Sequence, residues 1–146
     1  TLQKDGSYLS VPVDTVGEVK KIEITSRKTG GIITEIVIKG SKNTVKVMTE
    51  YNIRTLLAPL TSTIVRQDES EVDHLSMLPS AFFVLDTIKK DGKFDGYKVT
   101  GGGYGHGVGM SQNGAKAMVD AGKTYEEVLK HFYEGVEIGI IYSDQD

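Results

Sequence analysis

The stretch Val19-Lys-Lys-Ile-Glu-Ile-Thr-Ser-Arg-Lys-Thr-Gly-Gly-Ile-Ile-Thr-Glu-Ile-Val-Ile-Lys-Gly-Ser-Lys-Asn-Thr-Val-Lys-Val-Met48 decides the fold class. Ile22 and Ile24 alternate with Lys21, Glu23 and Thr25, the period of a strand with one wet face. Thr29-Gly30-Gly31 is a turn, and Ile32–Lys39 is rich in β-branched residues. Gly40–Asn43 turns again before Val45 and Val47 alternate with Thr44 and Lys46. An antiparallel meander over Val19–Met48 is the expectation.

Outward from the meander the period changes. Tyr51, Ile53, Leu56 and Leu57 fit a short amphipathic helix over Thr49–Ala58, with Thr49 as N-cap and Pro59 as the stop. Thr61–Arg66 reads as a strand and the polar, acidic Gln67–His74 as a loop. Ala81–Ile88 and Phe94–Thr100 form a second hairpin through Lys90-Asp91-Gly92. Two helices follow. One runs from Ser111 to Ala121, ending at Gly122, and one begins at Thr124 with Glu127 completing a capping box. Gly135 ends the second, and Val136–Tyr142 reads as a last strand. On the N-terminal side, residues 1–18 carry little pattern, though Tyr8, Val11 and Val13 suit a short strand. The fold class is α+β: an antiparallel β-rich domain with a short mid-chain helix and two C-terminal helices. A single domain over residues 1–146 is expected.

Composition excludes several functions. Seventeen basic against 20 acidic side chains leave a net charge of −3, and the basic ones are scattered, so nucleic acid is not an expected partner. The longest mainly apolar run, near Ala81–Leu85, is far too short to cross a bilayer. With no cysteine there is no disulfide, thiol nucleophile or Cys-ligated zinc. The chain opens at Thr1 rather than Met and reads as a processed product or a fragment of a longer protein.

Glycine is concentrated. Of 17 glycines, six lie in Gly101-Gly-Gly-Tyr-Gly-His-Gly-Val-Gly-Met-Ser-Gln112. The tract follows an expected strand and opens a helix, where phosphate loops sit. Its spacing refuses a nucleotide: no register gives G-x-G-x-x-G, and no lysine follows. Downstream, Ala117-x-x-x-x-Gly122-Lys123-Thr124 matches a relaxed Walker pattern, but its first half is helical by period and lacks a preceding strand. Alternate glycines instead strip side chains from one face, so that a neighbour can approach the backbone. In an extended chain Tyr104, His106 and Val108 would share the other face. An aromatic ring and an imidazole beside bare backbone suit an extended, hydroxyl-rich polymer such as a sugar chain. Ser111 and Gln112, at the helix start, could hold a polar substituent. The alternative is a tight core crossing with His106 as a hydrogen-bonded structural residue.

Other polar groups have structural explanations. Glu69, Glu71, Asp73 and His74 read as a solvated loop. His131 lies near a helix C-terminus, where an imidazolium favours the dipole, and Glu50 serves the start of its helix. Tyr125, Phe132 and Tyr133 have the helical spacing of core and rim.

The run Gly103-Tyr-Gly-His-Gly-Val-Gly-Met-Ser-Gln-Asn-Gly-Ala115, followed by Ala121-Gly-Lys-Thr-Tyr-Glu-Glu-Val-Leu-Lys-His-Phe-Tyr-Glu-Gly135, resembles the C-terminal signature of the stage II sporulation protein D / amidase enhancer (SpoIID/LytB) family. Asn52-Ile53-Arg54 and Leu60-Thr61-Ser62-Thr63 are similar to shorter elements of the same family, so the likeness spans roughly residues 16–142. The resemblance implies a bacterial cell-wall protein acting outside the cytoplasmic membrane, in the wall or anchored through a missing N-terminal segment. Sporulation members are lytic transglycosylases on peptidoglycan glycan strands, and enhancer members modify an amidase autolysin. In that chemistry one carboxylic acid protonates the oxygen between N-acetylmuramic acid and N-acetylglucosamine. As a base, the same group then helps the muramic 6-hydroxyl close a 1,6-anhydro end. The family's catalytic glutamate belongs to an N-terminal segment that nothing in Thr1–Gly17 resembles. This chain therefore looks like the C-terminal half, with the catalytic acid unassigned and binding without turnover expected. The implied substrate-binding residues are Tyr104, His106, Ser111, Gln112 and Arg54. No metal or cofactor is implied. The implied partners are glycan strands and, beyond them, a wall hydrolase or other sporulation proteins.

Overall fold

A computed structural model describes residues 1–139. Ten elements run in the order β1 (Val19–Arg27), β2 (Ile33–Gly40), β3 (Thr44–Met48), α1 (Glu50–Leu56), β4 (Ile64–Val65), β5 (Glu71–Val72), β6 (Phe83–Lys90), β7 (Lys93–Gly101), α2 (Gln112–Asp120) and α3 (Tyr125–Phe132). Every strand pairing is antiparallel, in sheets ordered β1-β2-β3, β4-β5 and β6-β7. The architecture is the α+β class expected from the periodicities, with the mid-chain helix and both C-terminal helices in place.

The meander forms because its three strands agree on which face is wet. Lys21, Glu23 and Thr25 share a face with Glu35, Val37, Lys39 and Lys46. There Glu23 bridges Lys21 and Lys39, each at 2.6 Å, and Glu35 meets Lys46 at 3.0 Å. The two ammonium groups on Glu23 pull its carboxyl down to about 2. The opposite face buries Ile36 and Ile38 in a cluster with Ile32, Ile33, Ile53, Leu78, Ala81 and Phe83. As the middle strand, β2 loses both faces to burial: Val37 is buried on the charged side too, which explains the unbroken apolar run.

α1 starts where expected. The Thr49 hydroxyl accepts from the Asn52 N–H, and Ile53 is the one residue the helix buries. The hairpin β6–β7 turns at Asp91-Gly92 with φ of +53° and +76°, the doubly left-handed turn that Asp-Gly favours. It is tied to the meander by the Tyr97 hydroxyl, which accepts from the Ile22 N–H at 2.7 Å. Arg27 adds two bonds, donating to the carbonyls of Gly31 and Phe83 at 2.8 and 2.7 Å.

The structure corrects three details. Thr61–Arg66 is a strand only at Ile64–Val65, and its partner Glu71–Val72 lies within the expected Gln67–His74 loop. Near the N-terminus there is a single Leu2–Tyr8 bridge and no strand at Val11–Val13. Val136–Gly139 form no strand, and the remainder of the expected last strand lies outside the described residues.

The described residues divide into two compact units, residues 1–107 and 108–139. In the second, Ser111 caps α2 by accepting from the Gly114 N–H at 3.1 Å. The full capping box at Thr124 and Glu127 opens α3. Lys123 and the Thr124 cap hold the Glu127 carboxyl below the usual carboxylate range. A side chain at Gly114 would begin 3.0 Å from the Phe132 ring, so α2 approaches α3 where glycine allows it.

Candidate functional site

The glycine tract leaves β7 at Gly101 and does not continue as a strand. Gly103, Gly105 and Gly107 have φ of +78°, +107° and +66°, which breaks the two-residue alternation of an extended chain. The shared face of Tyr104, His106 and Val108 that alternation predicts therefore does not follow. Backbone bonds tie the tract to its neighbours. The Gly102 N–H donates to the Phe82 carbonyl at 2.9 Å, and the Gly105 N–H donates to the Pro79 carbonyl at 2.8 Å. Ser80 and Gly105 form an isolated parallel bridge.

Two of the glycines also mark close approach. A Cβ at Gly101 would lie 2.6 Å from the Phe82 carbonyl oxygen, and one at Gly107 would lie 2.5 Å from Ile32 Cδ1. Around Gly105 no atom of the described residues lies within 4 Å of its would-be Cβ. The tract is thus a core crossing at its ends and open backbone in its middle. At that middle Tyr104 is 92% exposed, the most exposed large hydrophobic side chain among the described residues. His106 is exposed as well. A ring with almost no packing of its own, beside backbone without side chains, leaves a flat ligand free to lie against it.

Arg54 is placed differently. Its side chain is only 11% exposed. Its Nε donates to the Leu78 carbonyl at 2.9 Å, and its guanidinium meets Glu50 at 3.1 Å. Together with Tyr104 and His106 it belongs to the first unit, while Ser111 and Gln112 belong to the second. The Ser111 oxygen accepts the capping bond, which leaves its O–H free to donate outward. Gln112 is exposed as the first residue of α2. Met110, just before the cap, donates its N–H to the Tyr133 hydroxyl at 3.3 Å.

Sequence reasoning missed the segment Leu78–Ala81. Its Leu78 and Ala81 are buried apolar residues, and Ser80 is the one buried polar residue among those described. The Ala81 carbonyl accepts from the Ile33 N–H at 2.9 Å, so four consecutive residues reach α1, the tract and β2. The Glu50–Arg54 spacing of a helical ion pair was the available signal.

Among the described residues, no group of three or more His, Asp or Glu could hold a metal ion. No described helix is long and apolar enough to cross a membrane.

Residues 64–109 match a family described as a domain of unknown function, DUF8618. The chain is 50% identical over 52 residues to the amidase enhancer of Bacillus subtilis (strain 168), a match covering 36% of this chain and 7% of that protein. It is 52% identical over 40 residues to stage II sporulation protein D of Bacillus amyloliquefaciens, covering 27% of this chain and 12% of the relative. For stage II sporulation protein D of Bacillus subtilis (strain 168) the figures are 50% over 44 residues, 30% and 13%. The chain is thus similar, over part of its length, to stage II sporulation protein D and the amidase enhancer, and each match spans only a small part of the relative's length. No solved structure matches the chain.

Proposed function

We propose that this chain is the glycan-holding half of a peptidoglycan lytic transglycosylase of sporulation or wall remodelling, working outside the cytoplasmic membrane. The observation that carries this reading is the identity of about half the residues in the matched stretches to stage II sporulation protein D and the amidase enhancer. The residues present fit the task. Tyr104 offers its ring face to a pyranose, whose C–H-rich side is apolar, and the His106 imidazole is of the kind that bonds a hydroxyl or acetamido group. Ser111 and Gln112 bring an O–H donor and an amide suited to the same substituents. The acid that protonates the glycosidic oxygen is supplied from outside this chain, so the chain alone binds and does not cleave.

The likeness to the amidase enhancer favours a second reading, in which the same surface binds glycan and modulates a separate wall amidase without chemistry of its own. Incubating the purified chain with peptide-free glycan strands tests both. Co-sedimentation with strands that mass spectrometry finds intact is the expected result. Anhydro-ended fragments would place the acid within this chain. His106→Ala and Tyr104→Ala are each expected to weaken binding with the fold intact, and unchanged affinity in both would remove the tract from the site.

A further inference from the structure

The functional tract has no helix or strand of its own, so its placement must come from neighbours. At its middle the Gly105 N–H donates to the Pro79 carbonyl at 2.8 Å, beside the Ser80–Gly105 bridge. Pro79 has no N–H to anchor itself, so its position depends on the residue before it. Leu78 is gripped at both backbone groups by Arg54. The Leu78 N–H donates to the Arg54 carbonyl at 3.0 Å, and the Arg54 Nε donates back to the Leu78 carbonyl at 2.9 Å. The remaining freedom of the guanidinium is taken up by Glu50, one helical turn earlier on α1, at 3.1 Å. Both side chains are largely shielded from water, at 11% and 18% exposure, which makes the pair more than a surface ion pair.

We infer that Glu50 and Arg54 are positioning residues: through Leu78 and Pro79 they set the height of Gly105, and with it Tyr104 and His106, for a ligand lying along the tract. The ligand class rests on the glycan reading above; the positioning does not. Arginine is required because its planar fork donates sideways to one carbonyl while its end group meets a carboxylate. A lysine ammonium on a flexible stem cannot span both.

The test is amide hydrogen exchange on the full chain carrying Arg54→Lys or Glu50→Gln, paired with binding to peptide-free glycan strands. Glu50→Gln is nearly isosteric, so it reads the device even if the Arg54 variant fails to fold. Exchange at Leu78 and Gly105 is expected to rise roughly tenfold, the loss of one charge-assisted bond. The Ile36 and Ile38 amides should keep their protection, and strand affinity should fall by a similar factor. Lysine should not rescue either readout. A Gly105 amide as protected in Glu50→Gln as in the parent overturns the inference, as does uniform acceleration through β1–β3, which marks a general stability role. Raised Gly105 exchange in the variants, with a parent chain that binds no strands, would sink the glycan reading while upholding the positioning one.

Discussion

Gly107→Ala tests how the tract is seated. The backbone there has φ of +66°, where a residue with a Cβ costs roughly 1–2 kcal/mol. Losing unfolded-state freedom on changing Gly to Ala returns about 0.4–1 kcal/mol. The larger effect is steric. The new Cβ would lie 2.5 Å from Ile32 Cδ1 and 2.6 Å from Cγ1. Ile32 is 7% exposed and packed in the central cluster, so it moves only by disturbing its neighbours. Overpacking of this kind costs about 1–3 kcal/mol. The net expectation is a loss of about 2–4 kcal/mol, read as a lower urea midpoint at constant slope. A double-mutant cycle isolates the clash. Ile32→Ala retains only the Cβ, 3.9 Å from the new methyl, so the overpacking disappears when both changes are present. The double variant should be about 1–3 kcal/mol more stable than the two single losses predict together. Gly105→Ala is the contrast, with φ of +107° in open space: a strain cost but no coupling to Ile32. Additivity of Gly107→Ala and Ile32→Ala to within about 0.5 kcal/mol would refute the seating of the tract on Ile32.

Ile53→Ala empties the fully buried position of α1 and should cost about 2–5 kcal/mol in urea denaturation. Leu56→Ala, at a site 54% exposed on the same helix, should stay within about 0.5 kcal/mol of the parent. Thr124→Ala removes half of the capping box and should weaken α3 by about 1 kcal/mol, seen as faster amide exchange over Tyr125–Phe132. Glu23 should titrate near 2 by carboxyl NMR, because Lys21 and Lys39 favour its charged form. Its folded value lies below its unfolded one, so its contribution is complete above about 4.5 and disappears as pH falls toward 2. A midpoint near 4.5 would show that the two lysines do not hold it.

What the chain disclosed in advance was local. The meander, the Asp91-Gly92 hairpin and the caps at Thr49 and Thr124 are legible because alternation and capping chemistry act over a few residues. β4 was expected too long and β5 escaped, because strands of two residues have no period to detect. The glycine tract misled in an instructive way. Alternation in sequence suggested alternation in space, but glycine is also the residue that leaves the extended region, and the backbone takes that option at Gly103, Gly105 and Gly107. Arg54 was legible as a residue of interest and illegible in its role. Its partner carbonyl is 24 positions away, and backbone carbonyls carry no residue identity for a sequence to reveal.

The bond between the Ile22 amide and the Tyr97 hydroxyl has a consequence for the order of synthesis. Its two residues are 75 positions apart, so the first strand leaves the ribosome long before the group that closes its outer edge exists. At about 5–20 residues per second, that interval is several seconds. During it a nascent three-stranded meander presents an open edge to any passing strand. The charges of Lys21 and Glu23 on that edge strand, with Lys39 beside them on β2, are of the kind that discourages edge-to-edge pairing.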